Sequence, residues 1–171
     1  MGLFGIHFPN NTNTIRQILI LWWLKADGQA MGGAMLRDEG GRMVAGLRFP
    51  IQAASPLEAE LRAIFYALQW VIQVGFVKLH VESDCREAIL ILLGKEARFW
   101  KEEFQAILLN LGNKAISFGH VKREGNWPAH YLAKEKSAQL EIFSSPRDLP
   151  ISARRAYFMD FYGLPSFRFL N

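Results

Sequence analysis

Residues 78–85 read Lys78-Leu79-His80-Val81-Glu82-Ser83-Asp84-Cys85, and the helix-like run CREAILILL follows at once from Cys85. A short strand-like run therefore ends in a carboxylate and turns directly into a helix. In an α/β sheet the carboxyl end of a strand is where ligands and reactive groups are presented. Two more carboxylates stand upstream in special settings, Asp27 and Glu60, and a His/Asn/His cluster stands downstream at His120, Asn126 and His130.

The totals set the frame. The chain has 171 residues, is 50% hydrophobic and 21% charged, and carries a net charge of +4 with a pI near 9.4. That length supports one domain with some residues left for a tail. The mildly basic balance is compatible with a polyanionic partner without requiring one. A single cysteine, Cys85, rules out an intramolecular disulfide and fits a reducing, intracellular compartment. The longest apolar run, Ile18 to Leu24, is far short of the roughly 20 residues of a membrane-spanning helix. The chain opens Met-Gly but has Ile6 where a myristoylation signal needs Ser or Thr, and no signal peptide is apparent.

Outward from the central stretch, the chain divides in order. Residues 1–16 mix Gly, Asn, Thr and Pro without periodicity and read as an irregular leader. The run QILILWWLKA at 17–26 has the length and apolarity of a strand buried on both faces. Asp27-Gly28 breaks it, GGAMLRD follows, Asp38-Glu39-Gly40-Gly41 makes a turn, and RMVAGLRFP forms a third strand. The first half is a meander. Ser55-Pro56 then opens a helix that stops at Gly75, with Ser55 as cap, Pro56 at the first helical position and Glu58 three residues after the cap. Its core stripe is Leu57, Leu61, Ile64, Leu68 and Val71. Glu60 lies on that stripe and Glu58 off it, so Glu58 is expected in solvent and Glu60 against the sheet. A carboxylate there costs several kcal/mol unless it is paired, protonated or bound to a metal.

After the 78–85 unit a helix is expected at about 100–111, then a strand in KAISFGHVKREG, then a final helix opened by Asn126-Trp127-Pro128 over WPAHYLAKEKSA. This strand–helix alternation demands parallel strands joined by crossovers. From about residue 144 the chain is Ser/Pro-rich and then aromatic-rich.

Each acidic residue has a purely structural reading. Asp27-Gly28 fits a hairpin turn, Asp84 with Glu87 fits a helix cap, and Glu60 fits a buried ion pair. Together, one carboxylate ends the central strand, one lies inward on the first helix and one ends the next strand. Three such positions can converge at one end of a sheet, where mutual repulsion calls for a divalent cation. Oxygen ligands favour Mg²⁺ or Mn²⁺, and a pair of ions about 4 Å apart is the arrangement for phosphodiester hydrolysis.

Five blocks carry a resemblance: KADG at 25–28, GGAMLRDEGG at 32–41, SPLEAELRAIFYAL at 55–68, KLHVESDCREAI at 78–89 and GHVKREGNWPAHYLA at 119–133. In order and spacing the chain resembles the type 1 ribonuclease H domain in the form found in plant retrotransposon-derived, reverse-transcriptase-like proteins. The resemblance implies an α/β, ribonuclease H-like fold with a mixed five-stranded sheet in the order 3-2-1-4-5, flanked by helices. It divides the chain into a leader at 1–16, a ribonuclease H-like domain at 17–137 and a C-terminal extension at 138–171.

The resemblance further implies a Mg²⁺-dependent endonuclease, using two ions with Mn²⁺ as a substitute, that hydrolyses the RNA strand of RNA–DNA hybrids. Position by position, Asp27, Glu60 and Asp84 match the catalytic, metal-binding carboxylates. His120 matches the mobile histidine of proton transfer or product release. Asn126 matches the loop asparagine before the last helix, and Gly28, Lys122 and Arg123 join it as substrate-binding positions. A monomer acting on nucleic acid, with no membrane or disulfide partner, is the expected state.

The sequence departs from the family twice. His130 stands where the fourth carboxylate belongs, which predicts weakened Mg²⁺ binding and a shift towards Mn²⁺. The glycine-rich loop after Asp27-Gly28 is missing, because Gln29-Ala30-Met31 leads directly to Gly32-Gly33. Both departures leave a second reading open: a catalytically weak or inactive mobile-element relic serving as a nucleic-acid-binding or protein-interaction module. A third is a structural domain whose aromatic tail, Tyr157 to Phe169, docks on a partner. Lys122, Arg123 and Lys134 are equally a phosphate track or a solvated basic face, and Trp100 and Trp127 read as packing residues.

Overall fold

The computed structural model describes residues 15–24, 30–73, 78–94, 109, 115–135 and 137–164. In chain order these form β1 (Ile15–Leu24), β2 (Ala30–Asp38), β3 (Met43–Ile51), α1 (Pro56–Gln73), β4 (Lys78–Ser83), α2 (Arg86–Leu92), β5 (Ala115–His120), α3 (Trp127–Lys134), β6 (Glu141–Phe143) and α4 (Ile151–Phe161). One mixed sheet runs β5-β4-β1-β2-β3-β6. The β1–β2–β3 meander is antiparallel, while β4 pairs parallel with both β1 and β5. The α/β fold expected from the sequence is the one observed.

Alternation in the strands divides the core into two layers. Ala34, Leu36, Leu47, Phe49, Leu79 and Val81 meet the α1 face, where Leu61, Ile64, Leu68 and Val71 are buried as expected. Each of the leucine, isoleucine, valine and phenylalanine side chains contributes about 1.5–3 kcal/mol on leaving water. On the opposite face Met35 packs with Leu132, Ala133, Leu149 and Tyr157 of the α3–α4 layer. The glycine pair in β2 serves both layers. A Cβ at Gly32 would strike the Phe49 ring, and one at Gly33 would strike the Ala129 carbonyl and come within 2.7 Å of the Ala133 nitrogen. Helix α3 therefore lies directly on the β2 backbone.

The cap of α1 corrects one expectation. Ser55 Oγ accepts from the Glu58 N–H at 3.2 Å, and Glu58 Oε2 accepts from the Ala54 N–H at 2.9 Å. Glu58 also pairs with Arg62 at 2.9 Å and is partly buried rather than free in solvent. The capping box spends its carboxylate on the backbone, which draws the side chain in. Asp84 does not cap α2 either. Cys85 occupies that position, and no side chain bonds the cap.

The sheet has six strands where five were expected. The sixth is only three residues, Glu141–Phe143, too short to show alternation in sequence. It is held to β3 by Arg48, whose guanidinium bonds Glu141 at 2.6 Å and Glu135 at 3.0 Å and lies 5.5 Å from the Phe143 ring centroid. The aromatic tail is also partly spent inside the molecule. Tyr157 is buried, its hydroxyl oxygen accepts from the Met43 N–H at 3.0 Å, and its ring lies beneath Arg37, which pairs with Asp160. Helix α3, expected as the final helix over WPAHYLAKEKSA, ends at Lys134, a 3-10 turn at Arg123–Asn126 precedes it, and α4 follows it. The strand expected at 17–26 runs at Ile15–Leu24. Most of the leader, Asp27, Gly28, the helix expected near 100–111 (Leu109 apart), Trp100 and the last seven residues lie outside the described residues.

Candidate active site

The carboxyl ends of β4 and β5 bring most of the expected site residues together. Ser83 and His120 are partners across the two strands, and the Val121 N–H bonds the Ser83 carbonyl at 3.0 Å. Asp84 follows Ser83 at the turn into α2, and His120 closes β5 with its side chain exposed. Glu60 reaches the same end of the sheet from α1 and is 1% exposed. Its Oε1 accepts a hydrogen bond from the hydroxyl of Ser83, which is wholly buried. The Ser83 oxygen in turn accepts the Cys85 N–H at 2.9 Å. One serine thus joins the α1 glutamate to the turn that carries Asp84.

Asn126 is fully buried at the head of α3 and donates from Nδ2 to Asp84 Oδ1 at 3.5 Å. Burial pushes the Asp84 carboxyl above its ordinary value, against the opposing pull of Arg123, Asn126 and His120. His130, one turn further along α3, is half-buried. Burial, with Arg123 and Lys134 adding repulsion, lowers its pKa to about 4, so it is a neutral imidazole at pH 7. Lys122 and Arg123 are exposed beside this cluster. Cys85 lies amid the same charges: burial first, then Glu60, Glu87 and Asp84, raise its thiol pKa and keep it protonated.

The match to known families is decided by the 22–136 region, which fits the family model described as reverse transcriptase-like. The chain belongs to the reverse transcriptase-like family. No curated protein matches the chain. Among solved structures, this reverse transcriptase-like chain is similar to LC11 ribonuclease H1 in complex with an RNA/DNA hybrid, at 20% identity and TM-score 0.60, over 68% of this chain and 91% of that one. It is likewise similar to ribonuclease H1 from the halophilic archaeon Halobacterium salinarum, at 22% identity and TM-score 0.59, over 68% and 93%. The N-terminal ribonuclease H domain of a Mycobacterium tuberculosis protein gives 19% identity and TM-score 0.60, over 70% and 91%. The fold of the reverse transcriptase-like chain is that of ribonuclease H.

Among the described residues no three His, Cys, Asp or Glu side chains stand close enough together to hold a metal ion, and Asp27 lies outside them. The donor set nonetheless suits a hard divalent cation. Glu60 and Asp84 offer oxygens in a largely water-excluded corner, where burial already penalises the Asp84 charge. Sequence reasoning missed Ser83. Its signal was present in Leu79, Val81 and Ser83, the inward-facing positions of β4, of which only the last is polar. Trp127 lies 6.2 Å from Tyr131 and lines a cavity of about 460 Å³ between α3 and α4.

Proposed function

We propose that this reverse transcriptase-like domain binds RNA–DNA hybrids and hydrolyses the RNA strand as a ribonuclease H-type endonuclease. The observation that supports this most is the buried pairing of Glu60 with Ser83, next to Asp84, at the carboxyl end of the central parallel strands. In this reading Glu60 and Asp84, with Asp27, hold two divalent cations, Mg²⁺ or Mn²⁺, and His130 contributes a neutral nitrogen. When bound, the cations supply the Lewis acidity that activates water and stabilises the leaving 3′ oxygen. Asn126 orients Asp84 through its amide. His120, exposed at the mouth of the site, carries a proton on an imidazole nitrogen between solvent and the reacting phosphate. Gly28, Lys122, Arg123 and Asn126 contact the substrate, and the products are a 5′-phosphate and a 3′-hydroxyl. The test is hybrid cleavage by the wild type against Asp84→Asn. Cleavage that the substitution leaves intact sinks the assignment.

One observation favours a second reading, a weakened centre retained for binding. His130 stands where the fourth carboxylate is expected and is a neutral imidazole at pH 7, which lowers the negative charge available to a cation. A hybrid-binding curve that falls steeply with salt, without cleavage, marks this outcome, because phosphate contacts release counterions.

A further inference from the structure

We infer that Ser83 is a positioning residue for Glu60, a hydroxyl clamp that sets the glutamate's geometry towards a divalent cation. The inference rests on the metal-dependent reading above and assigns it a residue outside the expected ligand set.

Three observations carry it. First, the strand directs Ser83 inward. Leu79, Val81 and Ser83 are the buried positions of β4, and Ser83 has no exposed surface. A polar side chain so placed must be satisfied within the protein. Second, a serine hydroxyl has a single proton to give. Here it goes to Glu60 Oε1, while a lone pair of the same oxygen accepts the Cys85 N–H at 2.9 Å. Both capacities are used, and they connect different elements. Third, those elements each deliver a carboxylate. Glu60 rides on α1, and the Ser83–Cys85 backbone brackets Asp84. The hydroxyl therefore fixes the reach of one carboxylate relative to the turn carrying the other. Partners of this kind, which orient a ligand without touching the metal, typically change metal affinity about 10–100-fold when removed.

Filling the space alone does not account for the serine. Alanine would fill most of it, leaving the Cys85 N–H and a carboxylate oxygen each without this bond. Threonine would keep the hydroxyl and suits a strand. The clamp is specific to the hydroxyl, and the variants separate the two roles.

The experiment titrates Mn²⁺ into the folded full-length protein by calorimetry, with thermal melts confirming the fold of each variant. Ser83→Ala is expected to weaken Mn²⁺ binding by about tenfold. Ser83→Thr is expected to stay within about threefold of the wild type, and Ser117→Ala, which removes an exposed hydroxyl bonded to His80 at 2.8 Å, is expected to change nothing. If Ser83→Ala does not fold, Ser83→Cys keeps the volume with a far weaker donor and carries the same expectation. Equal Mn²⁺ affinity in wild type and the Ala or Cys variant overturns the clamp while leaving the metal-dependent function standing. Absence of Mn²⁺ binding by folded wild type overturns both.

Discussion

Asn126 and Asp84, 42 residues apart in sequence, meet at the end of the sheet, where Asn126 Nδ2 lies 3.5 Å from Asp84 Oδ1. That contact ties the head of α3 to the end of β4. It also marks the place where the molecule accepts an electrostatic cost, because burial disfavours the Asp84 charge more than its neighbours favour it.

Removing that charge should therefore be stabilising. The folded state holds the Asp84 proton more tightly than the unfolded state, so ionisation costs stability as pH rises through the folded value. Asp84→Asn is expected to raise the stability of the metal-free protein at pH 7 by about 0.5–1 kcal/mol while removing hybrid cleavage. Urea melts beside a cleavage assay check both halves. A clear loss of stability would show that Asp84 is structural.

His130 has the opposite pH signature. Its pKa is lowered to about 4 in the fold, against an ordinary value of 6.5. Its neutral form is compatible with full stability above pH 6.5. Stability is lost as pH falls from 6.5 to about 4, where the unfolded state binds the proton and the folded state resists it. The half-exposed position keeps the loss to the order of 1 kcal/mol. Melting curves across pH 4–7 should flatten in His130→Gln relative to wild type. An unchanged slope would place the titrating group elsewhere.

The α3 layer depends on the absence of a side chain in β2. Gly33→Ala would force α3 off the strand at Ala129 and Ala133. A destabilisation of about 1–3 kcal/mol is expected from this overpacking, and it should also displace Asn126 and His130 and so reduce cleavage. Denaturant melts and near-ultraviolet circular dichroism report the two effects. A variant as stable as wild type would mean that α3 is not seated on this glycine.

The C-terminal segment belongs to the same bookkeeping of buried charge. Arg37 is buried, pairs with Asp160 and lies 5.6 Å from the Tyr157 ring centroid. Asp160→Ala would leave the guanidinium without that partner and is expected to cost about 2–4 kcal/mol. Tyr157→Phe, losing the bond to the Met43 N–H, should cost about 1 kcal/mol. Thermal melts of both variants test whether the segment is integral to the domain or merely appended to it.

The parts legible in sequence were those with local signals. The capping box at Ser55-Pro56 and the inward stripe of α1 placed Glu60 correctly, and the strand-to-carboxylate-to-helix transition placed Asp84. Long-range features were not legible. Strand β6 is too short to show a period, and its Glu141 pairs with Arg48 of β3, far away in sequence. Tyr157 is buried in the cluster that holds Met35 of β2 and lies beneath Arg37 of the same strand, contacts that no local pattern announces. The registration of β1 against β4, from Gln17 with His80 to Ile20 with Ser83, is likewise set by pairing rather than by composition. The serine that holds Glu60 is an ordinary residue in a strand until the helix is docked against it.

The most direct test of the account is cleavage of an end-labelled RNA–DNA hybrid in Mg²⁺ and in Mn²⁺ by wild type, Asp84→Asn and His130→Asp. The account predicts that wild type cleaves the RNA strand, faster in Mn²⁺ than in Mg²⁺, that Asp84→Asn removes cleavage, and that His130→Asp increases it in Mg²⁺. Silence from wild type and His130→Asp in both metals, from protein shown to be folded and bound to the hybrid, would contradict it and leave a binding module on a ribonuclease H fold.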